Sequence, residues 1–192
     1  MNAASFYHHF ESEFASSVEA LPELRRASAK TCKWRVPAPD GSLLLSFATN
    51  SKCAGLHPEW PGEFRLTAKW SHGKGPQRKH DYVSYFQYTT DAEAAEYADL
   101  QRRALAKFLR QPGKDAMKSL FDYVTDPSQV PRANFDEFAY YFDDEDARAW
   151  GMWYRNSLPG WVARFIAAPE THEDWCWRVL WPHLKRGPHA AR

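Results

Sequence analysis

Residues 62–90 read GEFRLTAKWSHGKGPQRKHDYVSYFQYTT, and the fold follows from how this stretch is parsed. In its first part Phe64, Leu66, Ala68 and Trp70 fall on one side of an extended chain while Arg65, Thr67 and Lys69 fall on the other, because strand side chains alternate faces. That pattern describes a half-buried strand. The last part is rich in β-branched and aromatic residues, with Val83 and Tyr85 opposite Tyr82, Phe86 and Tyr88, and reads as a second strand. Between the two, Gly73, Gly75 and Pro76 break regular structure, and Lys74, Arg78, Lys79, His72 and His80 make the connection basic. The expectation is a hairpin with a long, mobile, positively charged tip.

Upstream, the same period of two recurs. Cys32, Trp34 and Val36 oppose Lys33 and Arg35, Pro39-Asp40-Gly41 supplies a turn in which glycine can take positive φ, and SLLLSFAT resumes as a more buried strand. A connection over 50–61 then leads into the central hairpin. Before these strands, Phe6, Phe10, Phe14, Val18 and Leu21 step by three and four, which places them on one stripe of a helix with Ser5 as N-cap and Pro22 at its exit.

Downstream, Thr90-Asp91-Ala92-Glu93 is a capping box, and the helical spacing of Ala94, Tyr97, Ala98, Gln101, Ala104, Leu105, Phe108 and Leu109 runs to Pro112-Gly113. A shorter helix is expected over 115–124. FDEFAYYF (135–142) reads as a short strand with Phe138, Tyr140 and Phe142 on one side. Asp143 or Asp144 then caps a helix carrying Trp150, Trp153, Tyr154 and Leu158, whose steps of three and four favour it over the alternative of a third hairpin with 148–154 as a strand. Pro159-Gly160 interrupts it, so that 161–168 forms a second helix or a continuation after a kink. Thr171 caps a last helix with Trp175, Val179 and Leu180 packed and Pro182 bending its end.

The resulting fold class is α+β: a four-stranded antiparallel meander over about 31–89, packed against an N-terminal helix and several C-terminal helices. Residues 1–126 form the sheet domain, 127–186 an aromatic-rich, mainly helical extension on the same core, and 187–192 a disordered tail. A chain of 192 residues with 44% hydrophobic content can bury such a core without staples. Three distant cysteines with no CxxC pair give no disulfide framework, and MNAASFYHHFESEF lacks the basic start and apolar run of a signal peptide. The expected setting is a reducing cytoplasm, with no membrane span.

Four constellations can carry function. A net charge of +1 gives no global field, so an electrostatic partner must meet a local patch. The basic tip, with Lys74, Arg78 and Lys79 beside Tyr82 and Tyr85, can neutralise phosphates and stack unpaired bases, although charged hairpin tips are common. The acids Asp136, Glu137, Asp143, Asp144, Glu145 and Asp146 can meet a basic partner, or simply cap a helix, and they lack the EF-hand spacing. His172, Glu173, Asp174, Cys176 and His183 are metal-ligand types but complete no four-ligand set, and no metal or other cofactor is expected. Finally, Trp175, Trp177 and Trp181 cannot share one narrow helical stripe, so at least one, with Trp177 and Trp181 favoured, lies at a groove or interface.

No nucleophile elbow, Walker loop or acid-x-lysine step is present, and Glu59, Glu63 and Lys69 form none. The first expectation is therefore a non-catalytic protein-interaction module, an inhibitor or neutraliser of another protein, as an immunity protein is, using Asp143, Asp144, Glu145, Asp146, Trp177 and Trp181. A layout of helix, meander and helices is shared by many small bacterial domains, several of which neutralise a partner. The second is a nucleic-acid-binding module using Lys74, Arg78, Lys79, Tyr82 and Tyr85. The third is a hydrolase or nuclease whose site is assembled only by the fold.

Overall fold

The computed structural model describes residues 3–15, 25–28, 33–49, 61–114 and 138–179. Helix α1 (Ala3–Phe14) precedes strands β1 (Arg25–Ser28), β2 (Lys33–Ala38), β3 (Gly41–Thr49), β4 (Gly62–His72) and β5 (Lys79–Val83). Helix α2 (Asp91–Leu109), strand β6 (Phe138–Tyr141) and helices α3 (Asp144–Ala167) and α4 (His172–Val179) follow. The protein is α+β, with one antiparallel sheet in the order β1-β2-β3-β4-β5 and β6 also paired to β4. No described helix is long and apolar enough to cross a membrane.

Strands β2 to β5 form the expected meander, to which β1 adds an edge strand that the sequence reading omits. The expected positive φ in the β2–β3 turn falls on Asp40 (φ 56°) rather than on Gly41. Gly41 is required for a different reason: a Cβ there would lie 1.9 Å from the carbonyl oxygen of Ser71 on β4. Ser5, expected as the N-cap of α1, lies inside a helix that begins at Ala3.

The larger correction concerns residues 84–88, expected as strand. The strand ends at Val83, and Tyr85–Tyr88 forms a 3₁₀ turn. The Ser84 hydroxyl accepts a hydrogen bond from the Phe86 amide, and the Gln87 side-chain oxygen accepts one from the Ser84 amide at 2.7 Å. These local bonds compete with the ladder. Tyr85 and Phe86 are also both buried, and adjacent strand residues would send one of them to the solvated face. By leaving the sheet here, the chain vacates the first half of one β4 edge. Strand β6 takes it, pairing Gly62 with Tyr141 and Phe64 with Ala139, while β5 pairs with residues 68–72 of the same edge.

One sheet face holds the core. Trp34, Val36, Leu43, Leu45, Phe47, Phe64, Leu66, Ala68, Trp70 and Val83 are buried on it, beneath Phe6, Phe10 and Phe14 of α1 and Trp150, Tyr154, Leu158, Trp161 and Phe165 of α3. The two helices pack closely because Gly151 lets α3 approach the Phe10 carbonyl. Helix α3 runs unbroken through Pro159, where an interruption or kink is expected from sequence. Rings upstream (Trp150, Trp153, Tyr154) and downstream (Trp161, Phe165) bury in one cluster, so shared packing overrides the hydrogen bond that proline cannot donate.

Helix α2 starts at the expected capping box, with Thr90 accepting from the Glu93 amide and Glu93 accepting from the Thr90 amide. Ala104, Leu105 and Phe108 of α2 form a second cluster with Tyr140, flanked by Phe142, while Ala139 and Tyr141 point into the main core. The Tyr140 amide donates to Gln101 (2.7 Å) and its carbonyl accepts from the Trp150 indole (2.8 Å), so side chains close the outer edge of β6. The expected helix over 115–124, and Val18, Leu21, Leu180 and Pro182, lie outside the described residues, as does the 187–192 tail.

Candidate nucleic-acid interface

The sheet has a second, outer face. Alternation sends Lys33 and Arg35 of β2, Ser42, Leu44, Ser46 and Ala48 of β3, Arg65, Thr67, Lys69 and Ser71 of β4, and His80 and Tyr82 of β5 to the side opposite the core. Register sets them in rows across the strands. Arg35, Leu44, Lys69 and Tyr82 form one row, and Lys33, Ser46 and Thr67 form the next. Lys33, Arg35, Arg65, Lys69, His80 and Tyr82 are exposed. Glu63 is the one carboxylate at an outer-face position of β2 to β5, and it is buried at the β6 corner.

Cations two positions apart on a strand stand roughly 7 Å apart, and β2 and β4 are separated by about 10 Å. Those distances are within or near the Debye length of about 8 Å at physiological salt, so the positive potentials add. Despite a net charge of +1, the molecule carries a basic surface about four strands wide.

The hairpin tip lies at one end of the sheet, where alternation turns Lys79 to the side of Val83. Lys74, Arg78 and Lys79 are exposed around a short 3₁₀ turn at Gly75–Gln77, and Arg78 and Lys79 border a shallow cleft of about 560 Å³. His72 does not join them as a cation facing outward: its Nε2 is 2.5 Å from Asp81, and its ring stacks on Trp70 at 3.9 Å. The Ser71 hydroxyl and His80 Nδ1 share a hydrogen bond of 2.7 Å. Tyr82 is 39% exposed, as base stacking requires. Tyr85 is not available for stacking: it is 3% exposed, lies parallel to Trp161 at 5.0 Å and shares a hydrogen bond with Ser157, and burial pushes its phenol well above the ordinary value.

The acidic cluster is largely occupied. Asp143 is the N-cap of α3, its carboxylate accepting from the Asp146 amide, and Asp146 reaches back to the Asp143 and Phe142 amides. Lys107 of α2 bonds Asp143, Glu145 and Asp146 within 3.1 Å. Burial works against ionisation of Asp143, but the Asp146 amide and the Lys107 ammonium outweigh it and hold the carboxyl below its usual value. The Asp146 side chain is only 8% exposed and cannot serve as the partner contact expected of it. Asp144 (54%) and Glu145 (81%) remain outward, Asp144 within 3.1 Å of His9. Asp136 and Glu137 lie outside the described residues.

A cleft of about 740 Å³ on α2 is also lined by cations, yet Arg102 pairs with Asp99 and Lys107 with the α3 acids, which neutralises much of it. On α4, Cys176 Sγ comes within 3.4 Å of His172 Nε2. Burial pushes the thiol pKa up and the imidazole pKa down, which keeps the thiol protonated and unsuited to nucleophilic attack. Among the described residues no group of three or more His, Cys, Asp and Glu could hold a metal ion. Trp175 is buried. The Trp177 side chain, Trp181 and His183 lie outside what is described.

The outer-face row is what sequence reading of the tip missed. Its signal was present, since Lys33, Arg35, Arg65 and Lys69 occupy the polar positions of two strands. Only the register places them side by side. No family model matches the chain, and no curated protein or solved structure matches it either.

Proposed function

We propose that the protein is a non-catalytic binding module that holds a nucleic acid against the outer face of its sheet. The observation that carries this reading is the placement of Lys33, Arg35, Arg65 and Lys69, all exposed, on one face of β2 to β5 whose single carboxylate among the described residues, Glu63, is buried. Phosphate neutralisation supplies most non-specific affinity and makes it salt-dependent. Lys74 and Arg78 add exposed positive charge at the hairpin tip, beyond the end of the sheet.

Binding of fluorescein-labelled oligonucleotides, followed by anisotropy, tests it. With four phosphates neutralised, affinity for a single strand falls about 50-fold between roughly 50 and 200 mM salt, and the K33E/K69E double variant loses about half of that salt slope. Binding that ignores salt, or that the double variant leaves unchanged, rejects the reading.

A second reading keeps a protein partner. The outward Asp144 and Glu145 at the start of α3 favour it, because they stay exposed beside the Lys107 network. Under that reading the molecule is an inhibitor or neutraliser whose partner is basic, and reversing both charges weakens that complex without changing oligonucleotide binding.

A further inference from the structure

The width and chemistry of the outer face select among nucleic acids, an inference that rests on the nucleic-acid reading above. Four strands at about 4.8 Å spacing make a broad platform roughly 14 Å across from β2 to β5. A duplex presents its base edges inside grooves that admit a helix or a two-stranded ribbon, not a surface of this width. Helix α4 borders the face at its β5 edge, where His172 stands against Tyr82, and the hairpin tip leaves the sheet at its end. A duplex laid on it would meet the cations with phosphates alone.

An unpaired strand is matched more fully. The row Arg35, Leu44, Lys69, Tyr82 alternates cation, apolar side chain, cation and ring across β2, β3, β4 and β5. Phosphates and bases alternate likewise along an extended strand. Tyr82 is held in place: its ring stands edge-on to His172 of α4 (5.1 Å, 78°), and His172 in turn stacks on buried Trp175 (5.6 Å, 28°). The contact fixes the phenol ring while leaving it 39% exposed. A ring ordered in advance loses little entropy when a base stacks on it.

We infer that the occupant of this face is an unpaired polynucleotide strand running along Arg35, Leu44, Lys69 and Tyr82, with one base stacked on Tyr82. Lys69 holds the phosphate next to that base, Leu44 contacts a second base, and Arg35 holds the phosphate beyond it.

The test compares an oligothymidylate of about 15 nucleotides, a length within the range such platforms occupy, with a duplex of equal length, using the full chain. The single strand binds at least tenfold more tightly. The Y82A variant loses about 5- to 150-fold for the single strand, the range for one base on an aromatic ring, and Y82F restores most of it because it keeps the π-face. Circular dichroism of Y82A confirms that the exposed position leaves the fold intact. Equal or tighter duplex binding overturns the inference. So does unchanged single-strand affinity in Y82A, even where K33E/K69E weakens binding and the basic-face reading stands. Failure of wild type to exceed K33E/K69E with either oligonucleotide sinks both.

Discussion

At the scale of single residues, the positions that tolerate least are those where backbone comes close. Gly41 is one such position and Gly151 is another, because a Cβ at Gly151 would sit 2.5 Å from the Phe10 carbonyl oxygen and 3.0 Å from Glu13 Cβ, both belonging to the facing helix. The backbone oxygen cannot rotate away, so G151A forces α1 and α3 apart. The expected loss is about 1–3 kcal/mol, the usual cost of overpacking, read as a lower urea midpoint with an unchanged slope. Glycine at 75, with φ +55° and open space around it, has no such neighbour. The Trp161 indole is equally fixed, donating to the Tyr85 carbonyl at 2.5 Å while its ring lies parallel to that tyrosine. Its partner was not readable from spacing, because the helical period places Trp161 inside without saying which ring it meets.

At the scale of elements, two side chains, Gln101 and Trp150, close the outer edge of β6. Gln101 accepts from the Tyr140 amide in a buried setting, and Q101L leaves that donor unsatisfied at a cost of about 1–3 kcal/mol. Faster hydrogen exchange at Tyr140, with little change at β3, checks that the effect begins locally. The sequence made β2, β3 and β4 legible because each has one wet face, so apolar and polar residues alternate cleanly from Trp34 to Trp70. It misled beyond Val83, where Tyr85, Phe86 and Tyr88 have strand composition but Ser84 and Gln87 supply hydrogen bonds that close a turn. It also placed a strand correctly at FAYY without indicating its neighbour, since pairing with β4 depends on an edge that the turn at 85–88 had freed. The candidate site shows the same division. Each cation of the outer face was visible in its own strand, and Arg35, Lys69 and Tyr82 became one row only through register. Tyr85 was misassigned to the site for the same reason that its strand was extended too far.

At the scale of the whole molecule, the core is mostly rings, and this shapes its response to pH. Burial raises the phenol pKa values of Tyr85 and Tyr97 well above the ordinary value of about 10, Ser157 only partly offsetting the effect for Tyr85. A group whose folded pKa is raised contributes stability that is complete below the unfolded pKa and is lost as pH climbs above it. The protein is therefore expected to weaken above about pH 10. The phenolate absorbance of these two residues should appear together with the loss of helical ellipticity; its appearance while the ellipticity is intact would show that the rings are reached by solvent without unfolding. Charge is organised at the same scale. Acids gather at the start of α3, where Lys107 holds three of them, while Lys33, Arg35 and Lys69 stand exposed on the sheet's outer face. The divided edge of β4 also has a meaning in the order of synthesis. Residues 62–65 emerge from the ribosome long before Phe138–Tyr141, the segment that covers them, which begins 55 residues after Val83. Throughout that interval a nascent chain presents Phe64 beside backbone groups that β6 later pairs, so a translation product arrested before β6 is a template for aggregation.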